Sequence, residues 1–118
     1  IAFPVASRAA AEAAIAQLRM SSEARSATHN ISAFRVSGPG ALATGCDDDG
    51  EERAGAKLLS MLETEKALDV AVVVSRWYGG VNIGPARFQH ICNTARQLLR
   101  QCGAKPGTPM SAADGTAN

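Results

Sequence analysis

The sequence predicts an α+β fold, a two-layer sandwich with one sheet and helices packed on one of its faces. Segments with strand-like and helix-like patterns follow the order β-α-β-(β)-α-β-α. The run Val70–Val74 is continuous and rich in β-branched side chains, which is typical of a strand buried on both faces. Elsewhere, apolar residues recur at the i, i+3, i+4 spacing of amphipathic helices. These observations define the class.

The first half of the chain is predicted to form three strands and one helix. Phe3–Ala6 favours a short strand, and Ser7 is suited to cap a helix that ends near Ser21 and Ser22. His29–Ser37 is a β-compatible run that closes on glycine and proline. Ala41–Cys46 is predicted as a further short strand.

The acidic segment that follows indicates the start of a second helix. Asp49 and Glu52 have the spacing of a capping box, in which each side chain accepts from the other residue's backbone N–H. Apolar residues then continue at helical spacing, and the helix is predicted to end near Lys66.

A third helix is predicted from Pro85 to a C-cap at Gly103. Its apolar stripe comprises Phe88, Ile91, Cys92, Ala95, Leu99 and Cys102. We therefore predict one domain over residues 1–103, and a disordered tail or linker over residues 104–118, a stretch rich in Pro, Gly, Ser, Thr and Ala.

Size and composition exclude several classes of protein. A chain of 118 residues, 46% hydrophobic and 19% charged, is typical of one globular domain and not of a disordered protein. Its longest apolar run, Val70–Val74, is far shorter than the roughly 20 residues of a membrane helix. Three cysteines without a C-x-x-C pair argue against a zinc ribbon or a disulfide scaffold, so a reducing, cytoplasmic location is expected.

Acidic and basic residues are concentrated in different segments of the chain, although the net charge is only +1. Between Asp47 and Asp69 there are eight acidic and three basic residues, whereas Val70–Gly103 carries four arginines and no acid. If these segments form different faces, one of them attracts anions.

The loop after the valine strand invites comparison with a phosphate-binding loop. Gly79 and Gly84 have the G-x-x-x-x-G spacing, but Pro85 and Ala86 stand where a P-loop needs Lys and Ser or Thr. NTP hydrolysis is therefore not predicted. A weaker anion site remains at the start of the following helix. There, free backbone N–H groups and the flanking Arg76 and Arg87 could hold an RNA phosphate or a partner's carboxylates. The alternative is that the glycines only turn the chain.

The acidic run Asp47–Glu51 does not match an EF-hand, because the sixth position is Glu52 and not glycine. We favour helix capping and protein contact over a metal site, and we predict neither a metal nor a cofactor. Cys46 lies beside three carboxylates that oppose thiolate formation, and His29 and His90 are far apart in sequence. No catalytic residues are predicted.

Three segments closely resemble the IMPACT family, whose bacterial relatives are YigZ-type proteins. They are 28–35 (THNISAFR), 46–55 (CDDDGEERAG) and 72–88 (VVVSRWYGGVNIGPARF), within a likeness that runs from about Phe3 to Gly103 and favours the eukaryotic members. The resemblance implies a fold similar to ribosomal protein S5 domain 2. The chain departs from the family at Gly45, Asn82 and Ala86, and it shows neither the N-terminal RWD-type domain of eukaryotic members nor the C-terminal domain of bacterial ones.

The resemblance also implies a function. Eukaryotic members are non-enzymatic regulators of translation that bind the activator of the general amino-acid control kinase. They thereby restrain phosphorylation of initiation factor 2 alpha during amino-acid starvation. Contacts with ribosomes and actin are also associated with the family, and no membrane partner is expected.

We expect the partner-binding surface to combine the acidic turn with the glycine-rich loop and its neighbours. Its predicted members are His29, Arg35, Asp47, Asp48, Asp49, Gly50, Glu51, Arg76, Trp77, Tyr78, Gly79, Gly80, Gly84, Arg87 and Phe88. The alternative is an RNA- or ribosome-binding face over Val70–Arg100, using Arg76, Arg87, Arg96 and Arg100. A third hypothesis, a hydrolase or transferase that uses the carboxylates, requires a deep pocket and a raised carboxyl pKa.

Overall fold

A computed structural model of the chain describes residues 1–77 and 86–102. Within these ranges it contains four strands and four helices. The strands are β1 (Ala2–Pro4), β2 (His29–Ser37), β3 (Leu42–Asp47) and β4 (Val70–Arg76). The helices are α1 (Arg8–Arg19), α2 (Ser22–Ser26), α3 (Ala54–Thr64) and α4 (Ala86–Gln101). The predicted α+β class with a single sheet is confirmed.

The four strands form one antiparallel sheet in the order β1-β4-β2-β3. The longest pairing joins β2 to β4, with His29 opposite Arg76 at one end and Arg35 opposite Val70 at the other. The start of β2 and the end of β4 are therefore adjacent, and this end of the sheet carries most of the described residues of the predicted site.

The larger core lies between one face of the sheet and helices α3 and α4. Alternate residues of β2 and β4 point into it, among them Ile31 and Val72, and both are fully buried. Leu58, Leu62 and Ile91 meet them from the helices. The predicted stripe of α4 is confirmed, because Ile91, Ala95 and Leu99 are buried on this side.

A second, smaller core covers the other face of the sheet. Phe34 and Val73 pack there against Ala11 and Ile15 of α1. The helices therefore lie on both faces and not on one, which corrects this detail of the prediction. The physical reason is that Val70–Val74 is buried throughout, and a strand without a polar face needs apolar cover on both sides.

Most elements begin and end close to the predicted residues. Ser7 caps α1 as predicted, with its hydroxyl accepting from the backbone N–H of Ala10 at 3.0 Å. The bounds of β2 are those predicted. Helix α2 was not predicted, because it is a single short turn without a periodic apolar pattern; Ser21 caps it. Pro85, Gly103 and the predicted tail 104–118 lie outside the described residues.

The predicted capping box at the start of α3 is wrong. Helix α3 begins at Ala54, after Arg53 in the left-handed region (φ 69°). The cap is Asp48, whose carboxylate accepts from the backbone N–H of Gly55 at 2.7 Å and of Arg53 at 3.1 Å. The acidic segment makes two further turns before the helix, which leaves Glu52 exposed and outside it.

Gly55 permits this close approach. A Cβ at this position would lie 2.8 Å from the carbonyl carbon of Asp47 and 2.8 Å from a carboxylate oxygen of Asp48. Glycine therefore allows the acidic turn to pack directly onto the first turn of α3.

Among the described residues, no helix is long and apolar enough to cross a membrane.

Candidate protein-binding site

A buried ion-pair cluster joins the acidic turn to β4 and α4. Its members are Glu51, Arg76 and Arg87, and we call it the Glu51 cluster. The Glu51 side chain is only 1% exposed, and its Oε2 accepts a hydrogen bond from Arg76 Nη1. Arg87 Nε lies 3.4 Å from the same oxygen. Two residues that flank the glycine-rich loop in sequence therefore meet on one carboxylate.

The arginines of the Glu51 cluster are more accessible than its carboxylate. The side chain of Arg76 is 17% exposed and that of Arg87 is 30% exposed. The Arg87 guanidinium also lies over the ring of Phe88, 4.7 Å from its centroid, while Lys57 Nζ lies 6.0 Å from the same centroid. The Phe88 ring therefore packs against the Arg87 guanidinium as in a cation–π contact.

The three aspartates of the acidic turn are engaged within the chain. Asp47 accepts from the backbone N–H of Asp49 at 2.9 Å and pairs with Arg19 Nη2 at 2.9 Å. The hydrogen bond from the Asp49 backbone N–H is the largest single cause that lowers the pKa of the Asp47 carboxyl, and the Arg19 guanidinium lowers it as well. Asp48 caps α3, and Asp49 accepts from the backbone N–H of Asn30 at 2.7 Å. The turn is therefore built mainly by its own carboxylates.

His29 and Asn30 hold the acidic turn against the sheet. His29 Nδ1 lies 2.6 Å from the backbone carbonyl oxygen of Asp49. The buried Asn30 amide donates to the carbonyl oxygen of Ala24 at 2.8 Å and accepts from the hydroxyl of Ser75 at 2.6 Å. Asn30 therefore links α2, the acidic turn and β4.

Trp77 is the largest exposed apolar side chain at this end of the sheet. It is 52% exposed, and its indole N–H donates to the hydroxyl of Ser26 at 3.1 Å. Its polar edge is thus satisfied within the chain, and about half of the side chain remains accessible. Exposure of this kind favours a partner-binding role for Trp77, because tryptophan is enriched among the residues that anchor protein interfaces.

Other predicted site residues are distant or lie outside the described residues. Arg35 is six positions from His29 along β2, about 20 Å at the rise of an extended strand, and donates to the carbonyl oxygen of Ala67 at 2.8 Å. The structure therefore separates Arg35 from the rest of the site. Tyr78, Gly79, Gly80 and Gly84 lie outside the described residues.

The arginines of the RNA alternative do not form one free basic face. Arg96 Nε pairs with Glu65 at 3.2 Å and Arg96 Nη1 donates to the side chain of Asn93 at 2.9 Å. Arg100 is exposed in the last turn of α4. With two further arginines in the Glu51 cluster, three of the four have a carboxylate partner.

Nothing in the described geometry favours an enzyme. Burial raises the pKa of the Cys46 thiol, and Asp48 and Asp47 raise it further. Burial also raises the pKa of the Cys92 thiol. The pKa of Asp47 is lowered, whereas a carboxylic acid catalyst requires the opposite shift. Residues 1–77 and 86–102 contain no group of three His, Cys, Asp or Glu side chains placed to hold a metal ion.

Sequence reasoning missed two residues that shape the site and one buried acid at the opposite end of the sheet. Arg19 pairs with Asp47 from the end of α1, and Asn30 forms the link described above. The buried Asp69, at φ 57°, accepts from the backbone N–H and the hydroxyl of Ser37, both at 2.8 Å. The sequence signals were weak: a basic residue ending a helix, and polar residues beside apolar strands.

Comparisons with known proteins fit this architecture. Residues 1–99 match the Impact N-terminal domain family. Protein IMPACT from Bos taurus is 48% identical over 72% of this chain and 27% of that protein. The Homo sapiens protein is 50% identical over 63% of this chain and 24% of that protein. A solved structure of Yih1, described as a two-domain translational regulator, superposes with a TM-score of 0.60 and is 41% identical, covering 85% of this chain and 40% of that one.

By its fold, the chain is an α+β domain built on one four-stranded antiparallel sheet. It belongs to the Impact N-terminal domain family. It spans about a quarter of the length of these curated relatives. The resemblance read from the sequence motifs is confirmed.

Proposed function

We propose that the chain is a non-enzymatic regulator of translation that acts by binding another protein. Its family membership and its 41% identity to a translational regulator of known structure carry this proposal. By family resemblance, the partner is the activator of the general amino-acid control kinase, and binding restrains phosphorylation of initiation factor 2 alpha. Actin is a second partner suggested by the same resemblance.

The proposed contact surface lies at the end of the sheet where β2 begins and β4 ends. It combines the exposed Trp77 with the two arginines of the Glu51 cluster, together with the acidic turn. Tryptophan and arginine are enriched among residues that dominate binding energy at protein interfaces. The internal hydrogen bonds of the turn support a surface that is preorganised for a partner.

The experiment is a chimera, because the chain corresponds to only part of each relative. In Protein IMPACT from Bos taurus, the matching 87-residue segment is replaced by this chain. We expect the chimera to capture the kinase activator in a pull-down and the relative without this segment to capture less. Equal capture by both would contradict a role for this domain, provided that the chimera is folded.

Binding of RNA or the ribosome is the second candidate, favoured by one observation. Helix α4 carries three arginines and no acidic residue. If this face binds RNA, the logarithm of affinity falls linearly with the logarithm of salt concentration, by about 0.7–0.9 for each phosphate contacted. Binding that does not respond to salt would reject this candidate.

A further inference from the structure

We propose that the outer edge of β3 binds an extended segment of a protein partner, which adds to the sheet as a fifth strand. This inference goes beyond the proposed function, because it concerns the edge of the sheet opposite β1 and does not depend on translational control. Its basis is a row of outward-facing backbone groups and a cavity that lies beside them.

The register shows which residues of β3 point away from the sheet. The backbone N and O atoms of Ile1 both pair with Val73, so odd-numbered residues of β4 face β1 and even-numbered ones face β2. Because both pairings of β2 keep a constant register, the backbone groups of odd-numbered β3 residues face β2. The backbone groups of the other three therefore point outward, and among the described residues they have no hydrogen-bond partner: Leu42, Thr44 and Cys46.

This edge lacks the usual protection against strand pairing. The opposite edge, β1, has only three residues and ends in Pro4, which has no N–H to donate. In contrast, β3 has six residues and contains neither proline nor lysine. An edge of this kind accepts an extended peptide through main-chain hydrogen bonds.

A cavity of about 310 Å³ lies beside this edge, between α1 and strands β2 and β3. Helix α1 packs on β2 and β4, which leaves the same face of β3 uncovered. Phe34 and Ile15 form the apolar part of the lining, and Gly45 contributes no side chain. A side chain from an added strand therefore has room beside Gly45.

Two hydrogen-bond donors that line the cavity have no acceptor among the described residues. Ser32 is 3% exposed, and within these residues its hydroxyl has no hydrogen-bond partner. The Nε atom of Arg19 is buried and likewise unpartnered there, although its Nη2 contacts the Asp47 carboxylate. Because a buried donor without an acceptor is destabilising, both groups favour a ligand that brings an oxygen atom into the cavity.

The charges of the lining indicate which acceptor is suitable. Arg8 pairs with Glu12 at the rim. Arg19 pairs with Asp47. A carboxylate ligand would meet both acids, whereas an uncharged amide would not. On an added antiparallel strand, the residue opposite Gly45 projects to the same face as the cavity, so glutamine suits that position of the partner.

A second copy of the chain does not supply this side chain. When two β3 edges pair antiparallel about the middle of the strand, the residue opposite Gly45 is Ala41, Ala43 or Gly45 itself. None of these has a side-chain acceptor. The cavity therefore favours a partner of different sequence.

The test measures peptide binding to the 118-residue chain by NMR. The probe is a nine-residue peptide with a central glutamine, alternating threonine and valine on either side, and a lysine at each end. We expect it to shift the amide resonances of Leu42, Thr44 and Cys46 and to slow their exchange with solvent. No shift of these amides at millimolar peptide would overturn the inference.

Two N-methylated peptides test the strand pairing. The residue opposite Gly45 directs its own N–H away from β3, whereas its neighbours direct theirs towards β3. Methylation of the threonine nitrogen next to the glutamine should therefore weaken binding about tenfold. Methylation of the glutamine backbone nitrogen is the matched control and should change binding less than about twofold. Equal losses would overturn the pairing.

Ser32→Ala tests the cavity. It should weaken binding of the glutamine peptide about fivefold and leave binding of the same peptide with leucine unchanged. Ser60→Ala, at an exposed position of α3, is the control and should affect neither peptide. Circular dichroism checks that each variant is folded. Equal effects on the two peptides would show that the cavity holds water only and overturn the glutamine assignment, and dimerisation that blocks peptide binding would assign the edge to a second copy.

Discussion

Glu51 shows how one residue in an acidic run differs from its neighbours. Its side chain is buried and faces two arginines, whereas Glu52, the next residue, is exposed. Removing one partner from a buried ion pair leaves uncompensated charge away from water. The two residues therefore differ in energetic role although they are the same amino acid.

We expect Glu51→Ala to lower the free energy of unfolding by about 3 kcal/mol, because two arginines lose their shared carboxylate. Urea denaturation followed by circular dichroism measures the change. Glu52→Ala is the control and is expected to change stability by less than about 0.5 kcal/mol. Similar midpoints for the two variants would contradict the assigned roles.

Gly45 is required by the aromatic ring opposite it in the sheet. It pairs with Phe34 across β2 and β3, and a Cβ at this position would lie 2.4 Å from Cε2 of that ring. Gly45→Ala should destabilise the fold by about 1–3 kcal/mol through overpacking. In a double-mutant cycle, the same substitution made in a Phe34→Leu background should have a smaller effect. Additive effects would show that the ring is not the cause.

Asp47 should contribute a pH-dependent part of the stability. Its pKa in the folded state is lowered, chiefly by the hydrogen bond from the backbone N–H of Asp49. Its contribution is therefore present above about pH 4, the pKa of an unfolded aspartate, and is lost as the pH falls through the lower folded value. Because its side chain is half exposed, the contribution should stay below about 1 kcal/mol.

The measurement compares the melting temperatures of the parent chain and Asp47→Asn between pH 2 and pH 7. The variant should melt lower at pH 7, and the difference should close towards pH 2. A difference that does not depend on pH would show that the ion pair with Arg19 and the charge of Asp47 are not involved.

At the scale of elements, α3 shows that a cap can be set by a residue well before the helix. Asp48 satisfies the backbone N–H of Gly55 and of Arg53. The spacing of Asp49 and Glu52 predicts a capping box, because this motif is defined by local sequence alone. In the structure, Asp49 instead contacts β2: its carbonyl oxygen lies beside the His29 ring, and its carboxylate accepts from the backbone N–H of Asn30. It therefore does not cap α3.

Asp48→Ala should lower stability by about 1–2 kcal/mol, since an N-cap contact is lost at the start of α3. Hydrogen exchange should also show faster exchange of the Gly55 amide. In Glu52→Ala that amide should keep its protection. Faster exchange in Glu52→Ala than in Asp48→Ala would restore the capping box that the sequence predicts.

At the scale of the whole molecule, one end of the sheet gathers most of the candidate binding groups. The antiparallel pairing of β2 with β4 brings His29 beside Arg76, although they are 47 positions apart in the chain. The turn before α3 then adds Glu51 to the same place. Register therefore decides which charged residues meet, and it also separates Arg35 from them.

Trp77→Ala in the chimera with Protein IMPACT should weaken binding of the kinase activator roughly thirtyfold, the effect of losing about 2 kcal/mol at a hot spot. Stability should change little, because the side chain is 52% exposed. Leu42→Ala is the control, since Leu42 is 48% exposed and lies at the start of the edge strand β3. Equal effects of the two substitutions on affinity would contradict a specific role for Trp77.

The sequence by itself determined the strands and the longer helices, because each is encoded by local periodicity. The runs of β2 and β4, the Ser7 cap and the stripe of α4 depend on neighbours within about one or two turns. The three sequence motifs at 28–35, 46–55 and 72–88 also identified the family. None of this information required knowledge of distant contacts.

Only the tertiary structure decided which face each helix covers and which carboxylate meets which cation. Glu51 and Glu52 are alike in sequence, and nothing local distinguishes the residue that accepts two arginines from the one that stays in water. Electrostatic pairing depends on distance in space and on burial, and both are set by the packing of elements that are far apart along the chain.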